Sequence, residues 1–243
     1  MKHSRFDILA GNYQGGNEDP AKQMLAGSYE NLVRLKLLLL RRIKKKVFGD
    51  RKIRVLDFGC GTGEIAFGLA RDPGIQEVVG VDASAGMIQE ATRRHQKGRK
   101  KIRWLCCKKG KMPAGKFDWI LSVNTFHHIA PARRVLIAKK LRTLLSAGGV
   151  MAIMEHNPWN PLTRWVVSRC PFDRGVQLLS PSLTDRLIKN LGLEPQRYFS
   201  GFMPPHFFGS EFIEKLLSSL PLGVQYIAWG IDQSKKAQAG KRK

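Results

Sequence analysis

Apolar and polar positions along this chain follow two periods in turn. Short apolar runs recur through the middle of the sequence: Ile53-Arg54-Val55-Leu56, Val78-Val79-Gly80-Val81, Phe117-Asp118-Trp119-Ile120-Leu121-Ser122-Val123 and Val150-Met151-Ala152-Ile153-Met154. Each has the length of a buried strand and is bounded by turn residues. Stretches with helical spacing separate them, at about 63–71, 84–97 and 132–145. The pattern predicts strands at 53–57, 77–81, 102–106, 117–123 and 150–154, with Ser84 as a helix N-cap. Strand and helix in alternation build a parallel, doubly wound sheet.

On either side of that block the period is mostly helical. Residues 21–48 read as a helix with Leu32, Leu35, Leu39 and Ile43 on one face. Arg34, Arg41, Arg42, Lys44, Lys45 and Lys46 supply the rest, so the helix either packs on a core with a solvated face or lies on a membrane or RNA. Downstream, 180–191 reads as helix (Ser180 or Ser182 as cap), 193–199 as strand, 210–219 as helix and 225–231 as a last, antiparallel strand. The expected fold class is α/β: a Rossmann-like doubly wound sheet of seven strands, mostly parallel with an antiparallel last strand, helices on both faces. One domain is expected over 1–233, followed by a basic tail at 234–243. Within it, 1–50 forms a helical lid, 53–157 the ligand-binding half, 158–180 a variable segment and 181–233 the rest of the sheet.

The stretch VLDFGCGTGE, residues 55–64, carries the first chemistry. A strand ends at Asp57, Gly59, Gly61 and Gly63 follow at alternate positions, and a helix begins. Glycines there permit positive φ and let a ligand approach the backbone, while the helix N-terminus offers N–H groups to an anionic ligand group. A dinucleotide fingerprint is GxGxxG, whereas this one is GxGxG with Glu64, a charge that repels pyrophosphate. Asp57 suits a ligand with an ammonium group. Asp82 ends the second strand, near the ~20-residue offset at which an acid meets ribose hydroxyls. These residues describe a nucleoside with a zwitterionic tail and no phosphate.

VLDFGCGTGE followed by VVGVDASAGM resembles motif I and the post-I motif of class I S-adenosylmethionine-dependent methyltransferases. KFDWILSVNTFHHI and LLSAGGVMAI extend the likeness over roughly 53–154, and it is nearest to the small-molecule enzymes that include the ubiquinone/menaquinone methyltransferases. The resemblance implies S-adenosylmethionine as cofactor, with Asp57, Gly59, Gly61, Gly63 and Asp82 as its main contacts. Ala83, Met87 and Asn124 join them, Met87 in the position where the family sets an apolar side chain against adenine. Related enzymes often place an Asp after the third strand; Lys108 stands in that slot here, and a lysine accepts no hydrogen bond. An FDxxAxxY stretch in related enzymes forms a lid, matched here by FDILAGNY with Phe6 and Tyr13.

In an open α/β sheet the chemistry sits outside the carboxyl ends of the strands. Asn124, His127 and His128 follow the fourth strand, and Glu155 and His156 follow the fifth. His128, His127, Glu155 and His156 are therefore the candidate catalytic residues, His128 foremost, with a neutral imidazole as proton acceptor. The histidine pair also reads as packing or capping for the next helix. Asn157-Pro158-Trp159 superficially resembles the NPPY motif of amino-methylating enzymes but follows the wrong strand.

Composition adds one strong feature. Lys and Arg number 42 against 19 Asp and Glu, a formal net charge of +23 over 243 residues. That charge attracts polyanions such as RNA or anionic lipid, or simply solubilises the surface. No run of 18 apolar residues is present, the N-terminus has no apolar core of a signal peptide, and a cytoplasmic protein is expected, with peripheral contact to the inner membrane surface as an option. Four cysteines show no zinc-type spacing, and no metal is expected. Trp159, Trp165, Phe202, Phe207 and Phe208 in the variable region favour a small apolar or lipid-like acceptor. An RNA methyltransferase and a non-catalytic S-adenosylmethionine-binding scaffold are the alternatives.

Overall fold

The computed structural model describes residues 29–96, 99–107, 110–201, 212 and 216–234. Helix α1 spans Tyr29–Phe48, followed by β1 (Ile53–Phe58), α2 (Glu64–Ala70), β2 (Ile75–Asp82), α3 (Ala85–Arg94) and β3 (Ile102–Cys106). Then come β4 (Phe117–Val123), α4 (Pro131–Thr143), β5 (Leu145–His156), α5 (Pro161–Arg169), α6 (Pro181–Lys189), β6 (Glu194–Ser200) and β7 (Gln225–Ile231). Among the described residues these strands form one seven-stranded sheet in the order β3-β2-β1-β4-β5-β7-β6. The pairs among β1 to β5 are parallel, and β7 runs antiparallel to both β5 and β6.

The apolar runs are continuous because the sheet is covered on both faces. Side chains alternate along each strand, so neighbours go to opposite cores. Val55, Trp119, Leu121, Val150, Ala152, Met154, Ile227 and Trp229 face one side. There Leu39, Leu40, Ile43 and Phe48 of α1 and Ala66 and Leu69 of α2 close over them. Leu56, Ile120, Met151, Ile153, Tyr226 and Ala228 face the other side, under Ala138 and Leu141 of α4 and Leu187 and Ile188 of α6. Helix α1 thus packs on the core through part of its apolar face, and Lys44 turns inward to pair with Asp72 at 3.2 Å.

Ser84 caps α3 by accepting from the Met87 N–H at 3.2 Å, and Ser180 caps α6 in the same way. Strand β5 is longer than the apolar run, because Leu145 at its start pairs with Phe117 and Asp232 follows β7 back to Gly149. The proposed lid at Phe6 and Tyr13, the Lys108 slot, Phe202, Phe207, Phe208, most of the 210–219 helix and most of the basic tail lie outside the described residues. No disulfide joins the cysteines, and among the described residues no helix is long and apolar enough to cross a membrane.

Candidate active site

The glycine turn between β1 and α2 is pinned on three sides. The N–H groups of Gly59 and Cys60 donate to the Val81 carbonyl at 2.8 and 3.0 Å, tying the turn to β2. The Thr125 hydroxyl donates to the Gly59 carbonyl at 3.2 Å, tying it to the end of β4. Gly59 has φ +76°, and a Cβ there would stand 2.2 Å from the Thr125 methyl, so only glycine fits. Gly61, at φ +55°, has nothing within 4 Å of where its Cβ would be and opens onto a cleft. Asp82 receives the Gly61 N–H at 3.0 Å and the Ser84 N–H at 2.9 Å, one on each carboxylate oxygen. A carboxylate oxygen accepts more than one hydrogen bond, so Asp82 retains capacity toward ribose hydroxyls.

Asp57 lies at the end of β1, 1% exposed, and one of its carboxylate oxygens is buried with no hydrogen-bond partner. Burial first, then the charges of Asp82 and Glu64, push its carboxyl up to about 7. A buried carboxylate with one unpartnered oxygen near an open glycine turn fits a ligand that brings a positive charge, as the aminocarboxypropyl tail of S-adenosylmethionine does. Glu64 also faces the cleft; it accepts the Thr62 hydroxyl at 2.8 Å and pairs with Arg94 at 3.3 Å.

The cleft continues from the turn toward the carboxyl ends of β4 and β5 and measures about 1200 Å³ including its open mouth. Leu32 and Val33 of α1, Val166 and Val167 of α5, Phe172 and Val224 give it apolar walls. Asn124, His127, His128, His156 and Asp173 supply the polar groups at this end. Asn124 has φ +51°, the one positive φ at a non-glycine among the described residues, and Gln225 reaches its side-chain oxygen at 3.5 Å. Strain of that kind gathers where side chains must be aimed.

The two adjacent histidines sit on a short 3-10 turn, Phe126–His128, whose construction explains their placement. Glu155 receives the Thr125 and Phe126 N–H groups at 3.2 and 2.7 Å and also holds His127 Nδ1. On the other side Arg134, itself buried, donates to the carbonyls of Phe126, Ile129 and Gln177 at 3.1, 2.9 and 2.6 Å. Burial opposes the charge on His127, but the carboxylates of Glu155 and Asp173 outweigh it and bring the imidazole up to about 9. Burial and then the neighbouring His127 push His156 down to about 3. Asp173 is held well below the usual carboxylate range: burial opposes this, but His127 and His156 prevail.

The structure separates the candidate residues into groups. His127, His128 and His156 share the cleft, with the His128 side chain 22% exposed and that of His127 1%. The expectation that Glu155 faces the cleft beside His156 is corrected: consecutive strand residues point to opposite faces, and Glu155 is fully buried behind His127. Gly59, Gly61 and Asn124 line the cleft; Asp82 holds the turn through the Gly61 N–H, and Asp57 is buried at the end of β1. Met87 is 2% exposed in the core under α3, while Ala83 is exposed near the open end of β2. Asn157 is buried and donates to the carbonyls of Pro221 and Gly223, an anchor for the β7 approach rather than a reacting group. Sequence reasoning passed over Thr125, Asp173 and Phe172. Thr125 stands between two flagged residues, but nothing in RCPFD marks Asp173 before the chain brings it against the histidines.

A model of a methyltransferase-domain family matches residues 55–149, a stretch that holds the glycine turn, Asp82 and the histidine turn. An uncharacterized methyltransferase of Mycobacterium tuberculosis is 34% identical over 121 residues, 46% of this chain and 58% of that protein. The ubiquinone biosynthesis O-methyltransferase of a Bradyrhizobium species is 33% identical over 106 residues, 43% of this chain and 40% of the other. The matched part thus spans 58% of the length of the first relative and 40% of the second. Two solved structures share the fold over nearly the whole chain. One is an S-adenosylmethionine-dependent methyltransferase of Thermotoga maritima, with a TM-score of 0.65, 17% identity and coverage of 93% of this chain and 98% of the other. The second is the plantazolicin methyltransferase BpumL in complex with a monoazolic desmethylPZN analogue and S-adenosylhomocysteine, with a TM-score of 0.62, 19% identity and coverage of 93% and 96%.

Proposed function

We propose that this protein is an S-adenosylmethionine-dependent methyltransferase acting on a small, apolar or lipid-like acceptor. The observation that carries the reading is one continuous cleft, which begins at the open Gly61 turn and ends among three histidines between apolar walls, with the one unpartnered oxygen of Asp57 buried at the end of β1. One relative is named a ubiquinone biosynthesis O-methyltransferase, and that name supports the acceptor class.

The donor supplies a methyl group already activated on a sulfonium. Gly59 and Gly61 admit its tail, Asp57 balances the ammonium charge and Asp82 takes the ribose hydroxyls. Leu32, Val33, Val166, Val167 and Phe172 exclude water and hold an apolar acceptor in line with the methyl group. Alignment of that kind supplies ~7–11 kcal/mol of the barrier, so few obligatory groups are required. The proton of the acceptor leaves through the polar end of the cleft, where the His128 side chain is 22% exposed. The test is turnover of radiolabelled S-adenosylmethionine with separated lipid, small-metabolite and RNA fractions. Label in the lipid or small-molecule fraction supports the proposal; label in RNA alone, or none with intact cofactor binding, overturns it.

A further inference from the structure

We propose that His127, His128 and Asp173 hold a divalent transition-metal cation at the acceptor end of the cleft, and that the cation binds the acceptor through an oxygen. The site stands on its own geometry; its role in methyl transfer rests on the function proposed above.

Three ligand atoms converge there: Nε2 of His127, Nε2 of His128 and a carboxylate oxygen of Asp173, all within 4.8 Å of one another. The Asp173 oxygen is 3.4 Å from His127 Nε2 and 3.5 Å from His128 Nε2. Tetrahedral zinc with bonds of about 2.0–2.1 Å spaces its ligand atoms about 3.4 Å apart. His127 Nε2 is buried, and the Asp173 oxygen 3.4 Å away faces it without a well-formed hydrogen bond. The opposite nitrogen, Nδ1, is held by Glu155, the carboxylate–histidine arrangement that orients a metal-binding imidazole and fixes its tautomer.

The three ligands arrive on supported backbone. Arg134 clamps the histidine turn through two carbonyls, and the Asp173 N–H donates to the Cys170 carbonyl at 3.1 Å. Two imidazoles and one carboxylate suit zinc, iron or a neighbouring transition metal better than magnesium or calcium, which prefer oxygen alone. Three protein ligands leave a coordination position for a substrate, the pattern of catalytic sites, and all three residues line the cleft.

A cation there selects an acceptor with a hydroxyl or enol oxygen. Binding lowers the pKa of that group, its O–H bond breaks, and the proton leaves to solvent. The oxygen's electron pair then forms the bond to the methyl carbon, while the carbon–sulfur bond breaks with its pair remaining on sulfur. Oxygen methylation follows, rather than methylation of an amine or of carbon.

The untagged full chain, freed of metal with a chelator, is titrated with zinc chloride by calorimetry and with cobalt chloride by visible absorption. Expected are one equivalent of zinc bound to the cleft and cobalt d–d bands of a low-coordinate N₂O site. His128→Ala and Asp173→Asn each lower zinc affinity at least tenfold and remove the bands, while Cys106→Ser, which tests capture by an exposed thiol, retains both. Absence of stoichiometric binding, or binding undiminished in both folded variants, overturns the proposal. S-adenosylhomocysteine affinity is measured on the same samples. Loss of that binding alone refutes the methyl-transfer reading and leaves the cation site standing; its retention without zinc binding refutes only the cation site.

Discussion

Asp57 makes the cofactor reading quantitative. In the ligand-free protein its carboxyl titrates at about 7 because it is buried and faces Asp82 and Glu64. An ammonium group arriving at the turn favours the carboxylate, and an opposite charge in such a position lowers a carboxyl by about 2 units. The bound form then titrates near 5, so binding releases close to one proton between those values, about 0.8 at pH 6. Affinity rises with pH across the same window. Between pH 5.5 and 7.5 the dissociation constant of S-adenosylhomocysteine falls about 20-fold. Calorimetry in buffers of different ionisation enthalpy reads both quantities at once. Asp57→Asn keeps the shape of the side chain and loses the charge; it flattens the profile and binds at pH 7.5 as weakly as the wild type does at low pH. A flat wild-type profile, or the same slope in Asp57→Asn, would refute the pairing of Asp57 with the ammonium group. The ligand-free protein carries the opposite sign in its stability. An unfolded Asp57 ionises near 3.8 and the folded one near 7. The unfolded state therefore binds fewer protons between these values, and stability falls as pH rises through them, by up to roughly 4 kcal/mol.

Further outcomes follow from the same turn and from the surface. Gly59→Ala drives a Cβ to 2.2 Å from Thr125 and loses about 2 kcal/mol or more in thermal unfolding; Gly61→Ala meets open space, costs about 1 kcal/mol for its positive φ and weakens S-adenosylhomocysteine binding. Equal binding in wild type and Gly61→Ala would remove that glycine from the cofactor site. Asp82→Ala lowers affinity by about 1–3 kcal/mol, and a folded variant with unchanged affinity would count against the ribose contact. The net charge of +23 gives binding to RNA or anionic vesicles that collapses with added salt. Turnover that survives at salt abolishing RNA binding separates the small acceptor from RNA as substrate.

The alternation of apolar runs and helical stretches determined the sheet, its number of strands and nearly all of its element boundaries, because strands buried on both faces have to be apolar throughout. The glycine spacing with Asp57 and Asp82 marked the open turn at one end of the cleft for a related reason: a turn that leaves its backbone open excludes side chains, and that exclusion is written locally. The acceptor end is different. Glu155 and His156 look equivalent along the chain, and only the pleat of β5 sends one behind the histidine turn and the other into the cleft. Asp173 is separated from His127 by more than forty residues, in a stretch without a motif, and becomes significant when the turn after α5 folds over β4 and β5. The third core partner of that end, Arg134, reads as one more surface charge on a basic helix until its guanidinium is found buried against three carbonyls. Residues that act through neighbours in sequence were legible; those that act through neighbours in space were decided by the sheet order and by which face each strand residue happens to present.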